Sequence, residues 1–133
     1  RDVCMTDSQL HNAIRDRFEA YVAGGGNVPV VYDNDPKAPP SGGALWCRCT
    51  IQRNETIQVE SGPASYRRHG RVYAQLFGPL TRGDGPLLEL ADGIVSAFEG
   101  VTAAGVRYGA VTVRPIGVRG QEYQVNVEIP FTA

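Results

Sequence analysis

The sequence predicts an α+β fold of two layers, a mainly antiparallel or mixed β-sheet with two α-helices packed on one of its faces. Three observations carry that expectation. Leu10 to Val22 and Leu87 to Phe98 each place apolar residues at helical spacing along one stripe. Leu45 to Ile51 and Tyr123 to Phe131 alternate apolar and polar residues with the period of a half-buried strand. The run from Arg71 to Gly100 joins a strand, a polar corner and an amphipathic helix, the unit that lays a helix back over a sheet. Two apolar stripes need a common surface to bury against, so both helices are expected on the same side.

Each element follows from local chemistry. Thr6-Asp7-Ser8-Gln9 reads as a capping box, with Thr6 as N-cap and Gln9 reaching back. Leu10, Ile14, Phe18, Tyr21 and Val22 form the buried stripe of the first helix, and Gly24-Gly25-Gly26 ends it. Val28-Pro29-Val30-Val31-Tyr32 is a short strand, and Pro29 suits an edge or a strand start. Asp33 to Gly43, with three prolines and two glycines, is a surface loop. In Ala44 to Arg53 the residues Leu45, Cys47, Cys49 and Ile51 share the buried face of a strand. Thr56 to Glu60 is a weaker strand, and Ser61 to Ser65 is a hairpin tip or loop.

Arg71 to Pro79 is rich in β-branched and aromatic residues and suits a strand with both faces covered. Asp84 is placed to cap the second helix, with Pro86 in its first turn. Leu87, Ala91, Ile94, Val95 and Phe98 make its stripe, and Gly100 stands where a left-handed residue closes a helix. Val101 to Gly109 holds a short strand around Val106 to Tyr108. Ala110 to Val118 is a further strand, Gly117 to Gln121 the turn, and Tyr123 to Phe131 the last strand.

Composition narrows the function classes. The 133 residues make one domain, over residues 6–133. Residues 1–5 are set aside as an expression remnant or upstream leader, because Arg1 to Cys4 precede a methionine, Met5. A net charge of −1 gives no global attraction to nucleic acid or an anionic membrane. No apolar run is long enough to span a bilayer, and the start of the chain lacks a secretion pattern. Three cysteines, Cys4, Cys47 and Cys49, form no disulfide framework and fit a reducing compartment.

Candidate chemistry is sparse. Cys47 and Cys49 with His11 or His69 have the wrong spacing for structural zinc, and the two cysteines read as small core residues. Asp33-Asn34-Asp35 starts like a calcium loop, but its sixth and twelfth positions are Ala38 and Ala44. Gly83-Asp84-Gly85 lacks the spaced glycines of a phosphate cradle, and Asp84 would repel an anion there. No serine or cysteine sits in a nucleophile motif, so neither an enzyme nor a cofactor is expected. The one basic cluster is Tyr66-Arg67-Arg68-His69-Gly70-Arg71. It suits either a nucleic-acid backbone or pairing with carboxylates on this chain or a neighbour, and the neutral chain favours pairing.

Several segments, in order, carry a family likeness. Val30-Val31-Tyr32-Asp33-Asn34 runs into the proline-rich loop Pro36 to Pro40 and the strand at Leu45 to Ile51. Gly70-Arg71-Val72-Tyr73-Ala74-Gln75-Leu76-Phe77 follows, then Pro79, Gly83 and Gly85, and Leu90-Ala91-Asp92-Gly93-Ile94. Tyr123-Gln124-Val125-Asn126-Val127 leads to the apolar end. From about Thr6 to Phe131 the chain resembles the tail-terminator (tail-completion) proteins of long-tailed phages and of phage-derived particles such as gene transfer agents.

The resemblance implies a structural subunit, without catalysis or cofactor, that forms a ring with its own copies, usually a hexamer. It implies a ring that caps the tail tube and ends its polymerisation. The tube protein and the head–tail connector would be its partners, with DNA only in transit through the lumen and no membrane contact. The location implied is the tail of a virion or phage-like particle assembled in the bacterial cytoplasm. On this reading Arg67, Arg68, His69 and Arg71 lie at a subunit or lumen surface. A connector or stopper of the head–tail joint is the near alternative, and a small nucleic-acid-binding domain the more distant one.

Overall fold

Thr6 fixes where the chain enters its first helix. Its Oγ1 accepts the Gln9 amide at 3.2 Å, and its own amide donates to Gln9 Oε1 at 2.9 Å, closing the capping box that the sequence predicts. The computed structural model describes residues 6–24, 28–32, 45–53, 57–58, 66–80, 85–120 and 122–133. The predicted loops at 33–43 and 61–65, Asp84 as a cap, and Cys4 lie outside those residues.

Helix α1 (Asp7–Phe18) buries Leu10, Ile14 and Phe18 completely. From Glu19 to Gly24 the backbone then widens into a π-helix. A π turn holds more residues than an α turn, so the apolar stripe loses phase there. Tyr21, expected on the buried stripe, is instead 54% exposed. The side chain of Val22 lies outside the described residues.

The strands are β1 (Val30–Tyr32), β2 (Trp46–Arg53), β3 (Ile57–Gln58), β4 (Tyr66–Arg67), β5 (His69–Pro79), β6 (Thr102–Ala103), β7 (Val106–Tyr108), β8 (Thr112–Arg119) and β9 (Glu122–Thr132). Seven of them form a mixed sheet in the order β1-β2-β5-β9-β7-β6, with β8 also paired to β9. Only β1 and β2 run parallel; the other pairs are antiparallel. Strands β3 and β4 pair separately.

The spine is β5 against β9, paired from His69 opposite Thr132 to Pro79 opposite Glu122. Strands β7 and β8 follow one another along the far side of β9. The β6–β7 hairpin turns on Ala104 and Gly105, both at positive φ, the signature of a type I′ turn. The predicted turn at Gly117 to Gln121 is narrower than expected. Strand β8 continues to Arg119, and Gly117 (φ +101°) sits at a register shift within it, a bulge in place of a turn.

Helix α2 (Gly85–Phe98) buries Leu87, Ala91, Ile94, Ala97 and Phe98. Val95, expected in the stripe, is half-buried, and Ala97 takes the place beside Phe98. Gly100 closes the helix at φ +71°, as the sequence predicts.

Both helices lie on one face of the sheet. Their buried residues form a single core with Cys47 and Cys49 of β2, Val72, Ala74 and Leu76 of β5, and Val125, Val127, Ile129 and Phe131 of β9. Phe18 of α1 meets Phe98 of α2 with ring centroids 5.9 Å apart. Tyr32 and Tyr108 flank the pair edge-on, at 6.5 Å from Phe18 and 5.0 Å from Phe98. The Arg17 guanidinium donates through Nε to the Ala97 carbonyl at 2.9 Å and lies over the Phe98 ring. A cation thus closes the last turn of α2, where unpaired carbonyls collect negative partial charge. The other face of β5 is half-buried or exposed, so the expectation that Arg71 to Pro79 is covered on both faces does not hold.

Gly70 marks the tightest point of the spine. A Cβ there would stand 2.1 Å from the Gln52 carbonyl oxygen and 2.9 Å from Cζ of Phe131. Gly70→Ala is expected to cost about 3 kcal/mol, the upper end for overpacking, because the obstacle is backbone. A urea denaturation curve checks this.

Burial raises the Tyr108 hydroxyl from 10.0 to about 12, and Tyr32 is pushed the same way by burial first and Glu19 second. Below the unfolded value near 10 both states hold the proton and this stability is complete. It is lost as pH rises through about 12 for Tyr108, since the unfolded chain ionises first. The urea midpoint should therefore fall above pH 10, and Tyr108→Phe should flatten that fall.

Candidate functional site

The face of the sheet opposite the helices presents a ladder of side chains set by the strand register. Trp46, Phe77 and Gln124 form one cross-strand row. Arg48, Gln75, Asn126 and Arg114 form the next, and Thr50, Tyr73, Glu128 and Thr112 the third. Alternation of side chains across each strand puts all of these on the face away from the core.

The first row is the most ordered part of this face. Trp46 stacks on Phe77 with centroids 4.4 Å apart, and its Nε1 donates to Glu122 Oε2 at 2.8 Å. Trp46 is only 5% exposed and Gln124 only 6%, so this corner is shielded although no helix covers it. The sequence reading put Trp46 on the polar phase of its strand. The signal for a second cluster was present in the register of two bulky aromatics, Trp46 and Phe77, but it needs the β2–β5 alignment to be seen. Gln124 Nε2 donates to Asn126 Oδ1 at 2.8 Å, linking the first row to the second.

The basic cluster predicted as a contact surface is divided between the two faces. Arg68 reaches the helix side, where its Nε donates to Asp7 Oδ1 at 3.0 Å, at the start of α1. Arg53 donates to the Asp7 carbonyl at 3.3 Å, so the first turn of α1 is tied to the end of β2 and to the residue between β4 and β5. Arg71 points to the helix-free face and shares Glu128 with Arg114, at 3.2 Å and 2.8 Å. His69 is half-buried, and its Nε2 is buried with no hydrogen-bond partner among the described residues. The side chain of Arg67 lies outside the described residues. Arg68 and Arg71 therefore pair with carboxylates of their own chain.

At the opposite side of the molecule, Tyr21, Val28, Leu45, Leu90 and Gly93 border a cavity of about 330 Å³ beside α2, with Glu89 on its wall. It lies where β1 and β2 begin. It is lined mainly by apolar side chains.

Cys47 and Cys49 are buried thiols outside any disulfide, and burial with the neighbouring Cys49 holds the Cys47 thiol well above its ordinary value, away from the reactive thiolate. No group of three or more His, Cys, Asp or Glu among the described residues is placed to hold a metal ion. No helix among them is long and apolar enough to cross a membrane.

No family model matches the chain, and no curated protein matches it. A solved structure superposes with a TM-score of 0.74 over 97% of this chain and 96% of its own, at 15% identity. Its name describes no function, and at that identity the likeness shows the fold alone.

Glu128, 16% exposed between two arginines that are 53% and 59% exposed, is the electrostatic centre of the helix-free face. Glu128→Gln should lower stability by on the order of 1 kcal/mol at low salt, with a smaller loss at high salt because the arginines face solvent. Urea midpoints of both proteins at two ionic strengths measure this.

Proposed function

We propose that the protein is a structural subunit of a phage or phage-like tail, forming a ring that caps the tail tube, ends its polymerisation and offers the surface on which the head docks. The observation that carries this reading is the resemblance from about Thr6 to Phe131. Its described segments fall in order on β1, β2, β5, α2 and β9, the strands and helix that build the common core.

The chemistry of the surface supports the same reading. The described residues offer recognition groups on an open sheet face and an apolar groove, and both suit protein partners. The partners are other copies of the chain, the tube protein and the head–tail connector, with DNA crossing the lumen only in transit. The site of action is the tail of the particle. The alternative of a nucleic-acid-binding domain is weakened by the pairing of Arg68 with Asp7 and of Arg71 with Glu128, which uses charge that phosphates would need.

Deleting the gene from the parent phage or element and imaging the particles tests the proposal. The expected outcome is tubes of uncontrolled length and heads without joined tails. Particles with joined tails of normal length would overturn it.

A further inference from the structure

We draw no further inference here: the strongest candidate, the apolar groove beside α2 bordered by Tyr21, Leu45, Leu90 and Gly93, carries nothing because nothing among the described residues shows what covers it.

Discussion

The meeting of Phe18 and Phe98 is the contact on which the two-layer arrangement depends. These rings are the only large aromatics that α1 and α2 bury among the described residues, and they touch each other over the sheet. Fully burying such a side chain contributes roughly 1.5–3 kcal/mol. Their placement also has a polar component. Arg17 lies one residue before Phe18 and reaches the Ala97 carbonyl one residue before Phe98. A shift of either helix along its axis would therefore break an apolar and a charged contact together. Tyr32 and Tyr108 then bind this pair to the two sides of the sheet.

The sheet can receive both helices on one face because its central strands are paired along their whole length. Val72 opposite Ile129, Ala74 opposite Val127 and Leu76 opposite Val125 make three apolar cross-strand rows, and Cys49 and Cys47 extend two of them into β2. A slip of one residue would send all of them to the helix-free face. Gly70 holds the end of this register by allowing β2 to approach where no side chain fits. The helix layer covers these rows but stops short of the last turn of β8 and of the start of β1 and β2. Val118 and the groove beside α2 are what that incomplete cover leaves exposed.

Much of this frame is legible in the sequence because it follows from short-range rules. The capping box at Thr6, the left-handed Gly100, the buried phase of Tyr123 to Phe131 and the two stripes each need only a few neighbouring residues to be recognised. Tyr21 was misplaced because a π-helix is not encoded in apolar spacing; it changes the period without changing the residues. Trp46 lies on the phase of its strand that the alternation gives it, but its burial there was not legible because its partner, Phe77, is distant in sequence and adjacent only through the β2–β5 register. The basic run Arg67 to Arg71 looked like one patch because sequence distance cannot show that Arg68, between β4 and β5, turns to Asp7 on the helix side while Arg71 of β5 turns to Glu128 on the other face.

The form of the β8 edge bears on how copies could meet. An exposed strand of eight residues is an invitation to backbone pairing, which would run on without limit. Two features of β8 oppose that. Pro115 supplies no amide, and the bulge at Ile116 and Gly117 breaks the straight row of donors and acceptors. The same bulge leaves Ile116 exposed at the surface. An edge closed to main-chain pairing keeps the sheet from growing strand by strand into a neighbour.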